Sequence, residues 1–224
     1  MGLANQCFGR NVLFMKTGKI DKTTKGLAFL TLGNKYLQLV KNILEENIKG
    51  GQRPVDSYDH TPTAEELYKD LKWRFHQIIL PMLFNFYHGI ELTIKGFLVL
   101  LPTYNGYKNH KLTNLLKDFS DNYRQQYKII GFLKKYIEVN RMPPYLKTWI
   151  EKHNLAIDDY YDFLKYPFDL NFEKYYDYFE LKYDSSHQNQ GIDFSKSMYD
   201  DIKSFLPEIG IAIRKLAEDA RSAV

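Results

Sequence analysis

The sequence predicts an all-α domain, a helical bundle with a long Pro-kinked central helix. Apolar residues recur at three- and four-residue spacings through most of the chain, which is the period of an amphipathic helix. Residues 63–66, Thr-Ala-Glu-Glu, fit a capping box at a helix start. Gly50 with Gly51, and Pro143 with Pro144, fall between the periodic stretches and separate the predicted helices.

The two longest early stretches define the first part of the bundle. Residues 27–48 predict a helix, which leaves residues 1–26 as an irregular N-terminal segment. A longer pattern begins after Thr63 and reaches Leu101. Pro81 lies inside it and removes one backbone hydrogen bond, so this helix is expected to kink or to divide in two.

Shorter periodic stretches fill the remainder of the chain. They predict helices over residues 112–119 (with Ser120 as an interruption), 123–137, 145–152 and 157–164, and a final helix that Asp193 or Ser195 caps. Residues 166–183 fit either a short hairpin or a helix with extended ends. The Tyr-rich segment 160–183 is interpreted as either a binding surface or the edge of the core.

Length and composition favour one globular domain. The 224 residues are too few for two comfortable domains, so residues 1–224 are assigned to a single helical domain with its core at about 63–222. Hydrophobic residues make up 44% of the chain, which is enough to bury a sizeable core. Cys7 is the only cysteine, which excludes an intrachain disulfide and a thiolate zinc site. Together with a start that lacks a signal-peptide pattern, it predicts a cytoplasmic protein.

Charge and motifs exclude several classes of function. A net charge of +4 is compatible with nucleic acid without requiring it. The most apolar stretch, residues 78–101, contains His88, Glu91 and Lys95, so it is expected to be a buried core helix with no membrane partner. His88 and Glu91 share a helix face, but a metal site needs three or four ligands. With no Gly-rich nucleotide loop or nucleophile elbow in the sequence either, neither a metal nor a cofactor is predicted.

One constellation carries a family resemblance. Glu91 and Lys95 are spaced as Glu-x-x-x-Lys, and a loop with Gly106 and His110 leads into the apolar residues of the next helix, Leu112, Leu115 and Leu116. This resembles the HEPN superfamily of small helical proteins, in which such a pair precedes a helix entered through Gly-His-x-Leu-x-x-Leu. The likeness covers residues of about 70–120, and the Gly-His step is stretched here to Gly106-x-x-x-His110. The alternative is an ordinary ion pair of the kind that any helical bundle can carry.

The resemblance implies a protein of prokaryotic antiviral defence, of abortive-infection or toxin–antitoxin type. Catalytic HEPN proteins are metal-independent endoribonucleases that carry Arg-x(4–6)-His, often brought together across a homodimer. Histidine exchanges protons with the attacking 2′-hydroxyl or the leaving oxygen near neutral pH. Arginine clamps the phosphate and the charge that grows on it.

Two positions approach this motif. Lys182 and His187 lie where the family places it, before the last helix, although lysine lacks the planar two-point grip of arginine. Arg53 and His60 match the spacing but lie in a Pro-containing connection before the core helices. We therefore expect His187 and Lys182 to be the catalytic pair, with Arg53 and His60 as the less favoured pair.

Two other functions remain open. A non-catalytic HEPN-like protein would bind a nucleotide or a partner protein, of antitoxin or nucleotidyltransferase type. A plain helical interaction protein unrelated to HEPN is the third option. Aromatic residues of the 160–183 segment have the chemistry to stack on RNA bases, but the interleaved aspartates and glutamates favour a protein surface or a core edge.

Overall fold

The computed structural model describes residues 20–50, 60–104, 108–166 and 188–222, and these ranges are all-α, as predicted. The helices they contain are α1 (Lys22–Gly50), α2 (Ala64–Leu71), α3 (Phe75–Leu98), α4 (Leu112–Asn122), α5 (Tyr127–Ile137), α6 (Pro144–Lys152), α7 (Ile157–Lys165) and α8 (Gln188–Ser222), with a 3₁₀ turn at Val139–Arg141. No strand occurs within these ranges. The predicted hairpin option lies outside them except for Tyr166.

Helix α3 is the centre of the bundle. It packs against α1, α4 and α7, while α8 covers α1 and α5. A helix that is apolar on most sides must be buried on most sides. The second half of α3 is buried almost throughout, whereas Gln77 and Pro81 in its first half are exposed. The fully buried residues of α3 include Ile79, Met82, Phe86, Ile90, Ile94 and Leu98. The core-helix prediction for this stretch is confirmed.

Within the described ranges, no helix combines the length and the apolar character needed to cross a bilayer.

Glycines allow α1 and α3 to approach closely in antiparallel orientation. A Cβ atom added at Gly33 would lie 2.7 Å from Thr93 Oγ1 and 2.9 Å from the carbonyl oxygen of Gly89. A Cβ at Gly96 would lie 2.9 Å from the backbone nitrogen of Leu30. Real Cβ atoms essentially never lie within 3.0 Å of backbone atoms, so α1 and α3 can approach this closely only where one of the facing residues is glycine.

Helix α1 begins earlier than predicted and belongs to the core. The side chain of Asp21 accepts hydrogen bonds from Thr24 N (2.9 Å) and Thr24 Oγ1 (2.6 Å), which is the action of an N-cap. Residues 22–26 are therefore helical, although the sequence predicted them as irregular. Leu30 and Leu37 are fully buried in the main cluster, so the core includes a helix before the predicted boundary at residue 63.

The long central pattern is divided before Pro81 and continues through it. The capping box at Thr63 is present and starts α2, as predicted. The break falls at residues 72–74, where the carbonyl of Trp73 accepts a hydrogen bond of 2.7 Å from the buried Asn47 side chain of α1. Pro81 lies inside α3 and removes the backbone donor that would reach the carbonyl of Gln77, so of the two predicted outcomes, a kink or a division, the division does not occur.

Two other helix ends differ from the prediction. Helix α8 begins at Gln188, so Asp193 and Ser195 lie inside it and neither is the cap. Gly191 is buried against Phe75 of α3. This contact packs the first turn of α8 against the core, so the helix starts before the predicted cap. Helix α4 passes through Ser120, and the interruption follows at residues 123–126.

We predict that Gly33→Ala lowers the free energy of unfolding by about 1–3 kcal/mol, because the added methyl group meets backbone atoms that cannot move aside. The matched control is Gly131→Ala, at an exposed site in α5 where nothing lies within 4 Å of the added Cβ. That change should raise stability by about 0.5–1 kcal/mol, since alanine is the better helix former. Urea denaturation of both variants measures the difference, and equal effects of the same sign would contradict the close contact.

Candidate functional site

A buried ion pair lies in the last two turns of α3. Glu91 and Lys95 are 2% and 3% exposed, and Lys95 Nζ donates to Glu91 Oε1 at 2.7 Å. The spacing of four residues places both side chains on one face of the helix. Charged side chains are almost never fully buried unless they are paired, and this pair meets that requirement inside the apolar core.

Two more side chains complete the coordination of the carboxylate. Tyr161 of α7 donates its hydroxyl to Glu91 Oε2 at 2.7 Å. His110, in the loop before α4, places Nδ1 2.7 Å from Glu91 Oε1. Lys95 Nζ also lies 3.4 Å from that ring nitrogen, because both donors converge on the same oxygen. Glu91, Lys95, His110 and Tyr161 are called the Glu91 network below.

The Glu91 network keeps the carboxylate ionised. Burial alone raises the pKa of a carboxyl group, but contacts with His88, Lys95 and Tyr161 outweigh it and hold the pKa of Glu91 well below its ordinary value of 4.5. Burial and the adjacent Glu91 charge both raise the pKa of the Tyr161 hydroxyl, so this group remains a proton donor. Glu91 is thus a fixed carboxylate surrounded by hydrogen-bond donors.

Hydrogen-bonding rules assign the proton positions. An ionised carboxylate only accepts, so His110 must donate from Nδ1. The Tyr161 proton is directed to Glu91, so its oxygen can accept from His88 Nδ1 at 3.1 Å. His88 also lies 3.8 Å from Glu91 Oε2, and its ring stacks on Phe84. A chain of hydrogen bonds therefore runs from one histidine through the tyrosine and the carboxylate to the other.

The network reaches the surface at His110. The His110 side chain is 62% exposed, whereas that of Glu91 is 3% exposed. A cavity of about 320 Å³ lies beside the imidazole, between the starts of α4 and α7. It is lined by His110, Lys111, Ala156, Asp158, Asp159 and Asp162. The His110 imidazole therefore lies at the edge of a cavity, and the buried Glu91 carboxylate fixes its orientation.

A larger groove of about 480 Å³ lies between α5 and α8. Its charged groups are paired with each other, Lys128 with Glu208 at 2.7 Å and Lys135 with Asp201 at 2.5 Å. The Phe132 and Phe205 rings stack at its floor with 3.8 Å between centroids. The groove is therefore a packed and neutralised helix contact, and the Glu91 network is the stronger candidate for chemistry.

The catalytic residues predicted from the sequence fall mostly outside the described ranges. Lys182, His187 and Arg53 all lie there, so neither predicted pair is seen together. His60 is described. It is exposed beside the start of α2, with Nε2 3.4 Å from Glu66 Oε2 of the capping box.

Sequence reasoning noted His110 within the family resemblance but did not select it, or Tyr161, as a site residue. The available signal was the position of Glu91 and Lys95 within the most apolar stretch of the chain, where a charged pair is expected to be buried. A buried carboxylate needs further donors, and tyrosine and histidine are the residues that supply them. Which tyrosine and which histidine depends on tertiary packing. Among the described residues, no group of three or more His, Cys, Asp or Glu side chains is arranged to hold a metal ion.

Comparison of the chain with protein-family models, with curated proteins and with solved structures finds no match.

We predict that Glu91→Ala lowers the free energy of unfolding by about 3–5 kcal/mol, because it leaves the Lys95 charge buried without its partner. Glu45 of α1 provides a matched control. It pairs with Lys49 at the same i,i+4 spacing and at 2.8 Å, but both side chains are at least 37% exposed. Glu45→Ala should change stability far less, because solvent screens an exposed ion pair. Chemical denaturation compares the two, and a similar small loss for both would place Glu91 at the surface.

We also predict an acid-sensitive contribution from Glu91. Its pKa in the folded chain lies below the ordinary 4.5. The stabilisation is therefore complete above that value and is lost as the pH falls towards the folded-state pKa. Between about pH 5.5 and about pH 3, wild type should lose more stability than Glu91→Gln, which has no carboxyl group to protonate. Parallel pH profiles of the two proteins in thermal melts would contradict the depressed pKa.

Proposed function

We propose that this protein is a HEPN-like helical protein that acts on RNA as a metal-independent endoribonuclease. In this proposal it works as a homodimer of prokaryotic defence or toxin–antitoxin type. The observation that supports it is the Glu91 network. Glu91, Lys95 and His110 carry the family resemblance in the sequence, and the three side chains meet at one carboxylate. An incidental surface ion pair would not bring the third residue to the same oxygen.

The proposed chemistry is attack of the RNA 2′-hydroxyl on the adjacent phosphorus. It needs groups that move protons near neutral pH and a cation beside the phosphate. His187 is proposed for proton transfer and Lys182 for the phosphate contact, with Arg53 and His60 as the second pair. Helix α8 begins at Gln188, the next residue after His187. Lys182 and His187 therefore precede the last helix, which is where the family places its motif.

The cavity wall favours a second candidate function, the binding of a partner protein. Asp158, Asp159 and Asp162 all line the cavity beside His110. Carboxylates repel a phosphate chain and attract the basic side chains of a protein. Fluorescence anisotropy with a labelled oligoarginine peptide tests this candidate. Binding that Asp159→Asn weakens would support it, and an equal affinity for an oligoglutamate peptide would contradict it.

We predict that the purified chain cuts single-stranded RNA in the presence of a metal chelator and leaves a 2′,3′-cyclic phosphate, because the 2′-hydroxyl is the nucleophile. His187→Ala should lower the rate by about a hundredfold or more, the usual scale for a lost acid–base group. Lys182→Arg should preserve or raise the rate, because arginine restores the two-point phosphate grip. Gel analysis of an end-labelled RNA with product-end mapping makes these measurements.

The controls separate the alternatives. If His187→Ala cuts as well as wild type while His60→Ala does not, Arg53 and His60 form the site. If repeated purification removes all cleavage, the endoribonuclease proposal fails. Sedimentation at micromolar concentration should show a two-fold assembly, and a strict monomer that still cuts RNA would contradict a site shared between two subunits.

A further inference from the structure

We propose that His110 is a general base of this site and that Glu91 is its positioning residue. This inference rests on the proposed function, since it takes the RNA 2′-hydroxyl as the group that gives up the proton. It assigns a catalytic role that the sequence motif does not, to a histidine 77 positions before His187 in the chain. The geometry, burial and charge around His110 carry it.

The first step is the tautomer. Glu91 holds the Nδ1 proton of His110 at a heavy-atom distance of 2.7 Å. The Nε2 atom of that neutral ring then carries a lone pair and no proton, which is the state that a general base needs at the start of a reaction. A carboxylate that orients a histidine in this way is the arrangement that acid–base enzymes use to fix the reactive nitrogen.

The second step is that the Glu91 carboxylate is held rigidly while the His110 imidazole is accessible to a substrate. Lys95 and Tyr161 hold the Glu91 carboxylate inside the core, so the carboxylate cannot turn away from the imidazole. The His110 side chain is 62% exposed beside a cavity of about 320 Å³. His60 offers a contrast, because its carboxylate partner Glu66 is itself 41% exposed and the contact is 3.4 Å long.

The third step is the charge of the cavity. Asp158 accepts hydrogen bonds from Thr113 N (3.3 Å) and Thr113 Oγ1 (2.5 Å) at the start of α4, so it acts there as a capping group. Asp162 pairs with Lys165 at 3.0 Å. Asp158 keeps its charge in these bonds to a neutral threonine, and Asp159 is exposed, so both carboxylates oppose a phosphate chain at this wall. Lys111 lines the side next to His110 and supplies a cation for the phosphate.

The reaction step is balanced without a metal or a second substrate. The 2′-hydroxyl proton passes to Nε2 of His110 while the 2′-oxygen forms a bond to phosphorus. The bond from phosphorus to the 5′-oxygen breaks, and that oxygen takes a proton from water. The products are a 2′,3′-cyclic phosphate, a 5′-hydroxyl and an imidazolium at His110, which then returns its proton to water.

Two RNA substrates separate base from acid. In one, the leaving 5′-oxygen is replaced by sulfur, which departs without a proton. His110→Ala should slow cleavage of both substrates by about a hundredfold or more, because each still needs its 2′-hydroxyl deprotonated. Equal rates of wild type and His110→Ala would overturn this inference, and so would recovery of His110→Ala on the sulfur substrate.

Glu91→Gln tests the positioning role, since it keeps the shape of the side chain and removes the charge. We expect kcat to fall while KM stays near the wild-type value in a protein that still melts cooperatively. The control Glu45→Gln should leave kcat unchanged. Unchanged kcat in Glu91→Gln would overturn the assignment to Glu91. Asp159→Asn should raise cleavage at low salt, and an unchanged or lower rate would overturn the passage of RNA along this wall.

A readout that needs no activity separates this inference from the proposed function. The ¹⁵N chemical shifts of the His110 ring should report a proton on Nδ1 in the neutral state, and a proton on Nε2 would overturn the inference whether or not RNA is cut. If wild type shows the Nδ1 tautomer but never cleaves RNA, the proposed function fails, and the role of His110 on RNA fails with it. If wild type cleaves RNA and His110→Ala is unaffected, the proposed function stands and only this inference fails.

Discussion

The carboxylate of Glu91 lies inside an apolar core, and the residues around it replace the hydration that it loses there. An ionised group in such a place is strongly unfavourable unless charge and hydrogen bonds replace the lost water. Lys95 supplies the charge from the same helix, and Tyr161 and His110 supply hydrogen bonds from α7 and the loop before α4. The network thus joins three parts of the chain at one point and fixes their relative positions.

The backbone around the network is arranged to leave room for it. Gly33 and Gly96 let α1 lie directly against α3, so the opposite side of α3 is available to α4 and α7. The polar residues face those two elements, and the cavity beside His110 opens between their first turns. One face of α3 packs closely against α1, and the opposite face carries the buried Glu91 carboxylate. This carboxylate fixes the orientation of the exposed His110 imidazole. Such preorganisation is what a proton-transfer site requires.

The sequence predicted the features that local chemistry determines. The capping box at Thr63 depends on side chains three residues apart, and the burial of most of α3 follows from its largely apolar sequence. Features set by distant residues were missed. The break after α2 involves Asn47, which lies 26 positions from its acceptor, and Tyr161 lies 70 positions from Glu91. The pair at Glu91 and Lys95 was visible as a spacing, and His110 as part of the same motif, but Tyr161 was not, because periodicity carries no information about which helices meet.

A double-mutant cycle on Glu91 and Lys95 tests the central claim most directly. The free energies of unfolding of Glu91→Gln, Lys95→Met and the double variant would be measured in urea. If the two groups share a buried network, the double variant loses less stability than the sum of the single losses, with a coupling energy above about 1 kcal/mol. Losses that add to within about 0.3–0.5 kcal/mol would show that the two residues act independently, and would contradict a buried charge network at the centre of this fold.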